Sequence, residues 1–276
     1  MIKLERVRTR SAIPRSLRGN YLKKKLRLLI RQEIKYQSDQ IDDRDFKTNY
    51  WKAAKNQLIA ETHQKCAYCE ADTRVVAHGD VEHYRPKSKY WWLAYCYDNF
   101  LFSCQICNQT YKGKEFPFSG HPFTGPDVAG LSENEIEDLI LQIAPEPLDD
   151  DHDLKITGLE NHHFAEDPHL INPYYSNPSD FFIWEALDIE QAVIIRNKPG
   201  VDNKYVKAAI SYYGLNRDEL KGLRFREYKK FEVFKLVSRN QALSAQEKQE
   251  VQNMLTSMMA PNAPFSGMLK YFDTVL

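Results

Sequence analysis

The chain has 276 residues, 42% hydrophobic, 28% charged and 12% aromatic, with 38 basic and 38 acidic side chains giving a net charge of zero. That composition supports a large folded core in one domain or two and excludes a disordered chain. No apolar run approaches the roughly 18 residues that span a bilayer, and the N-terminal MIKLERVRTRSAIPRSLRG lacks the apolar stretch of a secretory signal, so a cytoplasmic protein without membrane contact is expected.

Charge is unevenly placed. Residues 1–36 carry twelve Lys/Arg against two Glu, and residues 127–167 carry thirteen Asp/Glu against one Lys. The basic arm reads as a polyanion contact or as a solvated helix surface. The acidic segment reads as a solvated linker, a partner contact or an internal screen for the arm.

Residues 20–36 place Leu22, Leu26, Leu29, Ile30 and Ile34 at helical spacing. A second helix is expected over about 46–64, with Tyr50, Trp51, Ala54, Leu58 and Ile59 inward. Residues 72–84 suggest a short hairpin around Gly79–Asp80. Ser132 with Glu135 marks a capping box for a helix ending before Pro145, and EPLDDDHD is a loop. Residues 168–184 are rich in Pro, Asn and aromatics, so irregular packed chain is expected, with a strand at 192–196. Three helices follow: 202–213 stopped by Gly214, a long one from an Asn216/Glu219 cap to about 239, and one from a Ser244/Glu247 cap that ends before Pro261.

Cys66, Cys69, Cys104 and Cys107 form two Cys-x-x-Cys knuckles. Disulfides are rare in a reducing compartment, so four such thiolates point to tetrahedral zinc, with an iron–sulfur cluster as the rival. Cys96, in WWLAYCY, reads as a buried thiol. Between the knuckles stand Glu82 and His83, followed by Arg85, Pro86 and Lys87. A neutral imidazole can take a proton from water, a carboxylate can hold magnesium, and the two cations can meet phosphate oxygens. These are the parts of metal-assisted phosphodiester hydrolysis. Trp91 and Trp92 could stack on bases but fit core packing better, and His78, His152, His162 and His163 read as solvated.

Two further elements are Asn99, in YDNFLFSC, and Asn108, directly after the last cysteine in CQICNQTYKGKEFP. Together these residues resemble the HNH endonucleases, in the subgroup with a zinc-knuckle frame around a ββα-metal core. The stretch VEHYRPKSKYWWLAYCYDNFLFSCQICNQTYKGKEFP is similar to the HNH subunit of Septu-type anti-phage defence systems, which also occurs beside some retrons. IPRSLRG and HLINPYYSNPSDFF share that similarity more weakly. Glu82 stands where Asp or His is commoner in the family, and Asn108 where the name-giving motif ends in His.

The resemblance implies an α+β, mainly helical protein with a small zinc-stabilised ββα-metal module set in a helical body. The expected division is 1–125 for the basic helices and module, 126–170 for an acidic linker with one helix, and 171–276 for a helical region that docks a partner. Zinc on the four cysteines would be structural. Magnesium or manganese would sit between Glu82 and Asn108, with Asp80 a rival for Glu82. His83 would be the general base, Asn99 would hold its loop, and Arg85, Lys87 and Lys112 would position phosphate. DNA and an ABC/SMC-like ATPase are the partners the resemblance implies. Two other readings are a zinc-knuckle module that binds nucleic acid without cutting it and a scaffold for protein contacts.

Overall fold

The structure is a computed structural model. It describes every residue except 74–76, 145–146 and 149–155, and the side chains of 156–158 are left aside.

Helix α1 (Gly19–Gln37) buries Leu22, Leu26, Leu29 and Ile30, the stripe that their spacing requires. The single helix expected over 46–64 is instead two, α2 (Thr48–Lys52) and α3 (Lys55–Glu61). They diverge because Trp51 is drawn against the His83 ring while α3 lies along the following strands.

Strand β1 (Asp80–His83) pairs antiparallel with β2 (Phe100–Ser103), Asp80 opposite Ser103 and His83 opposite Phe100. This corrects the local hairpin expected over 72–84, of which Val75 and Val76 lie outside the described residues. Gly79 has a φ of 59° but turns the chain into β1, and a Cβ there would lie 2.4 Å from the Phe102 ring. The π-helix Ile106–Lys112 follows β2 almost at once. The order is therefore strand, strand, helix, with a knuckle before the first strand and another at the helix start.

Helix α4 (Glu133–Ile143) carries both bonds of the Ser132–Glu135 capping box and stops before Pro145. It packs on α1, where Arg27 pairs with Glu137 and Arg31 with Glu133. The acidic segment thus screens part of the basic helix. Apart from Pro147 and Leu148, the EPLDDDHD loop, His152 included, lies outside the described residues.

Helix α5 (Ile156–Glu166) has no counterpart in the sequence reading. Strand β3 (Phe182–Leu187) pairs with β4 (Ala192–Asn197), so the aromatic segment ends in a strand that its prolines and asparagines obscured. Helix α6 (Lys204–Tyr213) ends on Gly214 at φ 62°. Helix α7 (Asp218–Ser238) starts without the expected Asn216 cap. The Asn216 side chain instead accepts from Ile195 N at 2.9 Å and donates to Ile195 O at 3.2 Å. Helix α8 (Ala245–Met258) has its Ser244–Glu247 box, and α9 (Ser266–Val275), also unexpected, closes the chain's helical half.

One hydrophobic core draws on all three expected segments, including Trp51, Ile140 and Phe231. Trp91, Trp92 and Cys96 are buried in it. His163, expected to be solvated, is buried there too, between Tyr84 and Tyr175, whereas His162 stays exposed with its ring stacked on Phe123. Among the described residues no helix is long and apolar enough to cross a membrane.

Candidate metal centre and the strand beside it

The two knuckles converge. The sulfurs of Cys66, Cys69, Cys104 and Cys107 all lie within 4.8 Å of one another. Cys69 Sγ and Cys104 Sγ are 4.0 Å apart, close to the ~3.8 Å edge of a tetrahedron built on ~2.3 Å zinc–sulfur bonds. The first knuckle is tied to the sheet by Ala67 N donating to Phe102 O at 3.0 Å. In the second, Cys107 N donates to Cys104 Sγ at 3.4 Å. Bonds within the cluster hold the Cys69 and Cys104 thiols below the usual range and raise Cys107, while burial raises Cys66. A divalent cation bound here would take all four as thiolates and would contribute its binding energy to folding. The four cysteines could hold a zinc ion, and with four protein ligands the site has no open position. Among the described residues they are the only converging group of three or more His, Cys, Asp or Glu. Cys96 is apart from them, its thiol pushed up to about 12 by burial.

Glu82 and His83 end β1, and strand alternation sends them to opposite faces. Glu82 is buried, and its Oε1 lies 2.5 Å from Lys112 Nζ. Burial raises the Glu82 carboxyl while Lys112 opposes it. Lys112, fully buried, also donates to His83 O at 3.0 Å. The His83 ring stands edge-on to Trp51 and Phe100. Its Nε2 lies 2.9 Å from Ala94 O. A carbonyl only accepts, so Nε2 carries the hydrogen and Nδ1 the lone pair. Nδ1 is not among the sealed polar atoms, and the residue keeps 7% of its surface exposed. Burial first, then Lys87 and Lys112, depress the imidazole to about 3, against the bond to Ala94 O, so it is neutral at pH 7.

Asn99 clamps the chain leaving β1. Its Oδ1 accepts from Arg85 N at 2.8 Å, and its Nδ2 donates to Arg85 O at 2.9 Å and Leu93 O at 3.3 Å. Asn108 reaches Asp80, not Glu82: its Nδ2 donates to Asp80 Oδ2 at 3.2 Å, beside Gln109 Nε2 at 2.8 Å. Asp80 and Glu82 share a strand face, two residues apart.

The three cations expected to meet phosphate fare differently. Arg85 is buried and bound to Glu166 of α5, with Nε and Nη2 each 2.8 Å from Oε2. Lys112 is occupied by Glu82 and the His83 carbonyl. In this structure both are internal, each facing a buried carboxylate. Lys87 stays half-buried, over the Phe46 and Trp51 rings. Sequence type alone carried no signal for this difference. It also missed Gln109 on Asp80, and Arg217, whose Nη1 lies 3.5 Å from Cys107 Sγ.

Fold and site together define a mainly helical α+β protein in which a four-cysteine centre of zinc-binding type holds a two-stranded sheet and a helix. Over 197 residues the chain is 29% identical to Septu protein PtuB of Bacillus mycoides (strain KBAB4). The match covers 67% of this chain and 54% of that protein, so the chain spans about half the length of this relative. No family model matches the chain, and no solved structure matches it.

Proposed function

We propose that the chain is a metal-dependent endonuclease of the HNH type, hydrolysing phosphodiester bonds in nucleic acid, DNA foremost. We place it as the effector of a Septu-type anti-phage defence system acting with an ABC/SMC-like ATPase. The observation that carries the reading is the His83 ring, pinned through Nε2 to Ala94 O with Nδ1 left as a lone pair.

In this reading Nδ1 takes the proton of the attacking water. A phosphodiester anion beside the ring raises its proton affinity from the depressed resting value. Asn99 holds the backbone after His83, and Lys112 bridges the His83 carbonyl to Glu82, so the ring's mount is fixed at two points. Asp80 and the Asn108 carbonyl offer hard oxygen donors, with Glu82 on the same face, a set that fits magnesium or manganese. Such an ion, when bound, supplies charge stabilisation for the phosphate and the leaving 3′-oxyanion. Lys87 is half-buried, feels the Glu82 carboxylate and is offered as the phosphate contact. Few side chains here can read bases, so weak sequence specificity follows. The similarity to PtuB supports the defence role, and the ATPase partner follows from the resemblance to the Septu group alone.

The test is cleavage of supercoiled plasmid by the purified chain, alone and with the ATPase, in magnesium or manganese and in EDTA. Asp80→Ala and Glu82→Gln separate the two ligand candidates. Loss of cutting in EDTA and in at least one variant supports the reading. A salt-dependent gel shift with no cleavage in any condition favours a binding module.

A further inference from the structure

A half-buried arginine reaches the cysteine centre from a part of the chain distant in sequence, and a buried one follows it on the same helix. Arg217 stands at the start of α7, and its Nη1 lies 3.5 Å from Cys107 Sγ. Arg224 is two turns further on, on the same helix face. It is fully buried, its Nη1 bonds Leu215 O, and its Nε and Nη2 have no hydrogen-bond partner. No salt bridge joins Arg224 to a carboxylate among the described residues. A buried cation left in this state is costly unless an anion lies close by. Its guanidinium stands over the Trp184 ring, 4.7 Å from the centroid, and Glu70 is the carboxylate that favours its charge. Glu70 is already engaged by the Met1 ammonium, Lys65 and Gly267 N.

Four thiolates around one divalent ion would leave two negative charges, and a guanidinium against a sulfur offsets part of them. The same corner of the chain packs on both knuckles. Tyr213 stacks on Tyr68 of the first, with ring centroids 3.9 Å apart. Gly214 meets Tyr111 after the second, so closely that a Cβ would lie 2.5 Å from that ring.

We propose that Arg217 is a counter-charge of a metal–tetrathiolate centre, and that metal loading locks the α6–α7 corner onto both knuckles. The inference rests on the cysteine centre alone and is independent of nuclease activity. It makes the centre a joint between the strand–strand–helix unit and the C-terminal helices, beyond a clamp within that unit.

The experiment uses the full chain loaded with Zn²⁺, and in parallel with Co²⁺, as wild type, Arg217→Gln and Arg217→Lys. Zinc transfer to a chromophoric chelator reads affinity, the cobalt–thiolate absorption reads the ligand set, and amide hydrogen exchange reads residues 204–224. Arg217→Gln is expected to weaken zinc binding about tenfold or more, the range for an outer partner of a metal ligand. Arg217→Lys keeps the charge and is expected to retain most of the affinity, with the cobalt spectrum still that of four thiolates. Stripping the metal from wild type is expected to speed exchange across α6 and the first turns of α7. Zinc affinity within twofold of wild type in Arg217→Gln would overturn the proposal. So would equal losses in the Gln and Lys variants, or exchange in α6–α7 that ignores the metal.

Discussion

His83 is held by three kinds of contact with separate effects. The Ala94 carbonyl sets its tautomer, Trp51 and Phe100 set its plane, and Asn99 fixes the backbone beyond it. Asn99→Ala strands the Arg85 N–H and carbonyl in a buried place, and is expected to cost roughly 2–4 kcal/mol. Chemical denaturation measures this loss, and zinc content should stay unchanged. His163 gives a pH signature of its own. It is buried and its imidazole is depressed to about 3, burial being the main cause. The unfolded state then binds a proton near pH 6.5 that the folded state refuses, so stability is full above that value and falls as pH drops toward 3. His163→Gln is expected to remove about 2 kcal/mol of the loss between pH 6.5 and pH 5, measured as the difference in urea unfolding free energies. At this scale the convergence of the four cysteines was legible, since residue type and spacing carry their chemistry. The engagement of Arg85 by Glu166 and of Lys112 by Glu82 was not, because a cation in sequence looks the same whether water or a buried carboxylate faces it.

The elements with strong local signals formed where the sequence placed them. The leucine stripe of α1, the two capping boxes and the Gly214 stop all depend on residues within a few positions of each other. What failed was non-local. β1 takes its partner from beyond the 84–99 connection, so a turn signal at Gly79 pointed to the wrong pairing. Asn216 looked like a cap but is bound by β4, and β3 was hidden by the prolines and asparagines leading into it. Gly214 is needed twice, for its φ of 62° and for the approach of Tyr111. Gly214→Ala is therefore expected to destabilise by at least about 2 kcal/mol, from left-handed strain and overpacking together. A lowered urea midpoint with an unchanged slope would register it.

For the molecule as a whole, opposite charge within the chain shaped the outcome. The basic arm is partly answered internally: Arg6 by Glu61, Arg8 by Asp98, and α1 by α4. Net charge by segment was legible, but which acids face which bases depends on how α4 folds back. The cysteine centre joins parts of the chain more than a hundred residues apart, through Cys107 and Arg217. Chelating its metal is expected to lower the melting temperature by more than about 10 °C, since structural zinc contributes its binding energy to folding. Scanning calorimetry with and without chelator measures that shift.

The most direct test of the central claim compares plasmid cleavage by wild type and His83→Ala at matched zinc content, in magnesium or manganese with the ATPase present. The account expects His83→Ala to keep its zinc and its fold and to lose cutting by at least about a hundredfold, the contribution of a positioned general base. Equal cutting by the two proteins would contradict it and move the base elsewhere.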